Sequence, residues 1–140
     1  MLAETKPVFR QSMAHLRLRK HADYQRAYAS SRKHHSASMG WFLASHAKYC
    51  DSPSPRIGLT VGKVVGKAHE RNRIKRRMRD ALRRHTDLFP AGCDLILHPR
   101  RAVLTMEFGK LEAEIVRILQ QAKAETDRSS QRSAEAKPTS

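Results

Sequence analysis

The sequence is short of acidic side chains, aromatic rings, cysteine and long apolar runs. It has 13 Asp and Glu residues against 28 Lys and Arg residues, with two cysteines and 6% aromatic residues. A metal-dependent nuclease needs several convergent carboxylates, and nothing in the spacing of these few acids suggests such a cluster. No histidine lies at metal-ligand spacing from cysteine or carboxylate, and no Ser, His and Asp pattern stands out. We therefore predict no catalytic residue and no metal ligand in the protein.

The absence of long apolar runs helps to predict the cellular compartment of the protein. No stretch approaches the ~18 apolar residues that a membrane-spanning helix needs. Residues 1–19 also lack the apolar segment of a signal peptide. Cys50 and Cys93 fit free thiols in a reducing compartment, although one structural disulfide remains compatible with the sequence. These absences predict a soluble, cytoplasmic protein with no membrane partner, and we expect the protein alone to be monomeric.

Positive charge is what the sequence has in excess. Its formal net charge is +15, which favours a polyanionic partner such as nucleic acid. The charge is densest in residues 71–79, where the basic residues are Arg71, Arg73, Lys75, Arg76, Arg77 and Arg79. Ile74, Met78, Ala81 and Leu82 recur through this stretch at helical spacing, so we predict an amphipathic helix over 68–85. Its like charges repel one another at i, i+4, and a bound polyanion would relieve that repulsion.

The remaining patterns predict one small α/β domain, in which helices pack on a sheet. We place helices at 22–30 and 107–122, strands at 39–46, 56–61 and 93–98, and a loop at 49–55. The domain is predicted to span 16–123. Residues 1–15 are predicted to form a flexible basic arm, and the polar residues 124–140 a disordered tail.

Three aromatic residues allow two interpretations. Tyr24 and Tyr28 are four residues apart on the first helix, so their rings point the same way, and Phe42 lies on the next predicted strand. They could form a stacking floor for single-stranded nucleic acid. In a protein with few aromatic residues they could equally be core, which the spacing alone favours. Trp41 points away from Phe42 on the same strand and is interpreted as packing.

Several segments together resemble one known family. Gly66-Lys67-Ala68, followed by Arg71-Asn72-Arg73-Ile74-Lys75-Arg76 and Arg79, resembles the signature helix of the bacterial ribonuclease P protein component. Segments 17–28, 56–61 and 94–97 and the final amphipathic helix resemble other parts of that family in the expected order. The resemblance covers most of the chain.

The resemblance implies both a fold and a function. The fold is a two-layer α/β sandwich like the second domain of ribosomal protein S5, in the order αβββαβα, with a left-handed βαβ crossover. The function is that of the protein subunit of ribonuclease P, an endoribonuclease that removes the 5′ leader from precursor tRNA. Its catalytic RNA subunit performs the hydrolysis, with Mg²⁺ held mainly by RNA and none by a protein motif. The implied partners are that RNA subunit and precursor tRNA.

The resemblance also assigns two sets of residues. The RNA subunit would be bound by Lys67, Arg71, Asn72, Arg73, Lys75, Arg76 and Arg79. The cleft for the single-stranded leader would contain Tyr24, Tyr28, Phe42, Lys63 and Lys75, which reverses the preference for core at the three aromatic positions. Glu70 departs from the family pattern just before Arg71.

Two other functions fit parts of the sequence. A structural RNA-binding protein, such as a ribosomal protein or an assembly factor, would share the charge and fold class but would need no aromatic cleft. A DNA-binding protein could place the basic helix in the major groove, but a strand and Gly66 precede that helix where a helix-turn-helix motif would have another helix.

Overall fold

The computed structural model describes residues 16–45 and 54–136, with side chains to Arg128. The predicted arm at 1–15 and Cys50 lie outside these residues. The helices are α1 (His21–Ser30), α2 (Ala68–Arg83) and α3 (Phe108–Ala136). The strands are β1 (Arg32–His35), β2 (Met39–Ser45), β3 (Arg56–Leu59) and β4 (Cys93–Pro99), and short 3-10 turns cover Lys63–Val65, Thr86–Leu88 and Arg101–Leu104. A mixed α/β fold is thus confirmed.

The four strands form one sheet in the order β1-β2-β4-β3. The β1–β2 and β2–β4 pairs are antiparallel, whereas β3 runs parallel to β4, so that α2 lies in the connection between two parallel neighbours. The register aligns Lys33, Phe42, Ile96 and Gly58 across the sheet. Residues directly opposite one another share a face, and this is the face that α1 covers.

The opposite face of the sheet carries the main core. Trp41, Leu95 and Leu97 are fully buried there against apolar side chains of α2 and α3. The stripe predicted on α2 is confirmed, because its members Ile74, Met78, Ala81 and Leu82 are each 0% exposed. Trp41 points away from Phe42 into this core, as its alternation along β2 predicts.

Strand β1 and several element ends differ from the predicted pattern. The sequence pattern places no residues on β1, since Arg-Lys-His-His is polar and mostly exposed at the sheet edge. The predicted strand at 56–61 ends at Leu59, and the helix predicted to 85 ends at Arg83. His85, which the helical wheel places with the buried stripe, is instead partly exposed and lies 2.8 Å from Glu112.

Helix α3 is longer than the helix predicted at 107–122. It continues past residue 123 into the segment predicted as a tail and ends at Ala136. Two physical reasons account for the difference. The segment is rich in Ala, Glu, Gln and Arg, which are good helix formers, and extending a helix that is already nucleated needs no new nucleus. Thr126 also contacts β4, because its Oγ1 lies 3.3 Å from Sγ of Cys93.

Candidate RNA interface

A clamp fixes the start of the basic helix α2. The backbone N–H of Lys67 donates to Oε1 of Glu70 at 2.9 Å. Arg101 donates to both oxygens of the same carboxylate, at 3.0 Å and 2.7 Å, and its hydrogen bond holds the pKa of Glu70 down at about 2. A Cβ added to Gly66 would lie 2.7 Å from Oε1 of Glu70 and 2.8 Å from Nη1 of Arg101, so a larger residue there would make these two side chains shift. Glu70 thus joins α2 to the turn at 101–104.

The predicted RNA-binding side chains divide between two flanks of α2. Asn72, Arg73 and Arg76 lie on the exposed flank, beside an open groove. Lys75 and Arg79 lie on the other flank, where they line a cavity together with Tyr24. The helix therefore faces two different environments along its length.

Two arginines near this groove have structural partners. Arg71 donates from Nε to the carbonyl oxygen of Gly66 at 3.1 Å. Arg77 donates to the carbonyl oxygen of Met106, which ties α2 to the segment before α3. Within residues 16–45 and 54–136, by contrast, Arg73 and Arg76 have no paired carboxylate. These two guanidinium groups are available to an external anion.

The structure brings the three predicted aromatic residues together as an aromatic row, Tyr24–Tyr28–Phe42. The ring centroids of Tyr24 and Tyr28 are 6.3 Å apart, and those of Tyr28 and Phe42 are 5.0 Å apart in an edge-to-face arrangement. All three rings are half-buried above a small second core under α1. The rings therefore cover apolar side chains and keep part of their surface exposed, and their role in binding a single strand stays a prediction.

An ion network holds α1, and with it the row, against the sheet. Arg56 on β3 donates to both oxygens of Asp94 on β4, at 2.8 Å and 2.9 Å. It also donates to Asp23 on α1 at 3.2 Å, and Asp23 accepts a further bond from Arg26 at 2.8 Å. The bond from Arg26 is the main reason that the pKa of Asp23 is lowered. Asp94 is 2% exposed, so Arg56 supplies the opposite charge and the hydrogen bonds that a buried carboxylate needs.

His98 belongs to the same site, although the sequence analysis does not identify it. Its Nε2 lies 2.9 Å from the hydroxyl of Tyr28, which also lies 3.3 Å from Oγ1 of Thr60. The His98 ring is 5.1 Å from that of Phe42, and Nζ of Lys33 lies 5.8 Å from the Phe42 centroid. Alternation along β4 places His98 on the same face as Ile96. The sequence does not show that this face meets Tyr28 and Phe42, because that depends on the strand register.

The environment of His98 predicts a pH effect. Burial lowers the pKa of His98, and the charge of Lys33 lowers it further. The unfolded chain therefore takes up this proton first, so the free energy of unfolding should fall as pH drops below the ordinary value of 6.5. An NMR titration of the His98 ring should give a midpoint below 6.5.

Lys33→Gln should raise the His98 midpoint, because it removes the repelling charge. Lys110→Gln, which changes an exposed lysine on α3, should leave it in place. A His98 midpoint that is the same in the Lys33→Gln and Lys110→Gln proteins would contradict this account of the pKa.

Lys63 is predicted to lie in the leader cleft, but the structure places it away from the aromatic row. It lies exposed in the 3-10 turn before Gly66, next to Val64, which is 97% exposed. In the described part of the chain, no contact joins its side chain to the aromatic row. Lys63 in the leader cleft stays a prediction.

Glu114 and the thiol of Cys93 have partners within the fold. Glu114 accepts hydrogen bonds from the backbone N–H and the hydroxyl of Ser38 at 2.9 Å and 2.7 Å, and another from Ser36. Burial acts to raise the pKa of Glu114, but these bonds outweigh it and hold the pKa below its usual value. Cys93 is a buried free thiol whose pKa is raised by burial.

Residues 16–45 and 54–136 contain neither a cluster of metal ligands nor a helix suited to crossing a membrane. No group of three or more His, Cys, Asp or Glu side chains there is placed to hold a metal ion. None of the helices in the same residues combines the length and apolar character needed to cross a membrane.

Comparisons with known proteins agree on one family. The family model described as Ribonuclease P matches residues 13–123. The ribonuclease P protein component of Leuconostoc citreum is 32% identical over 106 residues, which are 76% of this chain and 89% of that protein. That of Carboxydothermus hydrogenoformans is 31% identical over 111 residues, covering 79% and 93% of the two chains. The solved ribonuclease P protein of Staphylococcus aureus superposes with a TM-score of 0.66 at 25% identity, covering 77% and 95%. The chain therefore belongs to the ribonuclease P protein family.

Proposed function

We propose that this protein is the RNA-binding subunit of ribonuclease P, which assists a catalytic RNA in removing the 5′ leader from precursor tRNA. The observation that carries the proposal is the difference between the two flanks of α2. One flank exposes Arg73 and Arg76 without acidic partners among the described residues, and the other faces the cavity beside the aromatic row. One rigid helix can thus contact a folded RNA and a single strand at the same time.

The exposed flank of α2 suits the RNA subunit. Guanidinium groups match phosphate oxygens in a two-pronged geometry, and helix α2 presents them from a backbone that is packed into the core. The Glu70–Arg101 clamp supports the same role, because it fixes where the helix begins. In the proposal, the RNA subunit is contacted from this flank and the helix start by Lys67, Arg71, Asn72, Arg73 and Arg76. Lys75 and Arg79 contribute from the other flank.

The aromatic row suits the single-stranded leader. The exposed part of each ring can stack on a base. Such stacking contributes about 1–3 kcal/mol per base and tolerates any base sequence. Lys33 beside Phe42 and Lys75 beside Tyr24 supply positive charge at the two ends of the row. Precursor tRNA has a leader and mature tRNA has none, so this surface would raise affinity for the substrate over the product.

Hydrolysis is assigned to the RNA subunit in this proposal. Asp23 and Asp94 are bound by Arg56, and Glu114 is bound by two serines, so these carboxylates are poorly placed to hold Mg²⁺. Mg²⁺ would be held mainly by RNA.

The proposal also includes a finer description of the fold. Its left-handed β3–α2–β4 connection and its likeness to ribosomal protein S5 are implied by the family resemblance.

The direct test is cleavage of precursor tRNA at physiological salt and low Mg²⁺ with a bacterial ribonuclease P RNA. The expected result is that the RNA alone is slow, the protein alone is inactive, and the two together remove the leader. If a folded protein gives no stimulation with a cognate RNA, a purely structural RNA-binding role becomes the better description.

Tyr28→Ala tests the leader surface separately. It should narrow the difference in holoenzyme affinity between precursor and mature tRNA by about 1–3 kcal/mol, because it removes one stacking ring. Tyr28→Phe keeps the ring and removes the hydroxyl that bonds His98, so most of the affinity difference should remain. Binding of both tRNAs to the holoenzyme is the measurement. A loss of thermal stability with an unchanged affinity difference would identify Tyr28 as a core residue only.

A further inference from the structure

Helix α2 and the turn after it are joined to one neighbouring segment, residues 101–112, at three points. Each contact pairs a side chain of α2 or of the following turn with a group of this segment. The pairs are Glu70 with Arg101, Arg77 with the carbonyl oxygen of Met106, and His85 with Glu112. At about 1.5 Å of rise per residue, the first and last contacts are roughly 20 Å apart. The segment therefore holds the basic helix along most of its length.

The contact at the start of α2 does more than join two side chains. Besides its two bonds to Glu70, Arg101 donates from Nη1 to the carbonyl oxygen of Val65 at 3.2 Å. Val65 belongs to the turn before the helix, and Glu70 accepts from the backbone N–H of Lys67 in the first turn of the helix. The Glu70–Arg101 clamp therefore sets the direction in which the chain enters α2.

The carboxylate of this clamp lies where an acid would be expected to oppose RNA binding. Helix α2 has two acids, Glu70 and Asp80, and each lines a groove beside Arg73. A negative charge near a bound phosphate repels it, so removal of either acid should strengthen RNA binding if charge alone matters. The two acids differ in their partners. Glu70 reaches Arg101 outside the helix, whereas Asp80 pairs with Arg83 on the helix itself.

We propose that Glu70 and Arg101 are positioning residues, which promote binding of the ribonuclease P RNA without touching it. The clamp holds the first turn of α2 and thereby the direction of Arg73. The first N–H groups of a helix have no partner within the helix, so without the clamp this turn loosens and must be ordered again on binding. This inference rests on the proposed function, and it assigns to an acid a favourable effect on the affinity for a polyanion.

The experiment compares Glu70→Ala with Asp80→Ala in the full-length protein. Each variant removes one negative charge from α2 and introduces alanine, the best helix former. Asp80→Ala should bind the ribonuclease P RNA as tightly as the wild type or more tightly. Glu70→Ala should bind it about three- to tenfold more weakly, because the first turn is no longer preorganised. Equilibrium binding to a bacterial ribonuclease P RNA, at a temperature where all variants are folded, gives these affinities.

The salt dependence separates positioning from direct contact. In Glu70→Ala and in Arg101→Ala, the slope of log affinity against log salt concentration should stay that of the wild type, because no phosphate contact is lost. The variant that carries both substitutions should bind about as weakly as either single variant, since each breaks the same clamp. If Arg101 contacted RNA itself, Glu70→Ala would free it and strengthen binding, and Arg101→Ala would reduce the slope. Either of these results would overturn the positioning role.

Amide hydrogen exchange tests the clamp in the protein alone. The N–H of Arg71 donates to the carbonyl oxygen of Lys67 at 2.9 Å in the first turn of α2. Its exchange should be faster in Glu70→Ala and unchanged in Asp80→Ala. Equal exchange, or equal RNA affinity, in the two variants would contradict the proposal. Failure of the proposed function is a different result, because the wild-type protein itself would then not bind the RNA.

Discussion

Replacing Arg73 and Arg76 together by alanine should weaken binding of the ribonuclease P RNA by roughly 10- to 100-fold at physiological salt. Both side chains are exposed on α2, and neither is paired with an acid within the described residues. Each is expected to contact one phosphate. The slope of log affinity against log salt concentration should therefore become shallower by about two, one for each lost contact. Equilibrium binding measured at several salt concentrations gives both quantities.

The same double substitution should not weaken the fold. Alanine is the best helix former, and removing Arg73 also removes its repulsion with Arg77 one turn later. A matched control replaces Lys110 and Arg117, two exposed cations on α3, by alanine and subtracts the same net charge. If both double variants lose affinity equally, the effect belongs to overall charge, and α2 is not the contact surface.

Asp94→Asn should destabilise the protein by about 3–5 kcal/mol, which is the range for breaking a buried ion pair by removing one partner. Asp94 is 2% exposed and accepts two bonds from Arg56, which also donates to Asp23. Urea unfolding followed by circular dichroism measures the change. Asp87→Asn makes the same chemical change at an exposed acid and should have little effect. Equal stabilities of the two variants would contradict the role given to this network.

The network also connects stability to the leader surface. Asp23 lies on α1 with Tyr24 and Tyr28, so loosening Arg56 should let α1 shift over the sheet. The holoenzyme with Asp94→Asn should therefore lose part of its preference for precursor tRNA at temperatures where the variant is still folded.

Because the pKa of Asp23 is lowered in the fold, its contribution to stability is present above the unfolded value of 3.8 and is lost as pH falls below it.

The basic helix could be predicted closely because its evidence is local. Ile74, Met78, Ala81 and Leu82 repeat at the period of a helix, and a helix with one apolar stripe buries that stripe wherever it packs. The family signature is local in the same sense. Strand β1 could not be predicted, since a polar edge strand has no alternation and is defined by its pairing with β2.

The sequence by itself determined the excess of positive charge, the buried stripe of α2 and the membership of a family. Tertiary structure decided which groups meet. It put His98 on the hydroxyl of Tyr28 and Arg17 beside Arg79. The physical reason is distance along the chain. Periodicity reports the neighbours of a residue within a few positions, whereas these contacts join residues tens of positions apart and depend on strand register and on the parallel β3–α2–β4 connection.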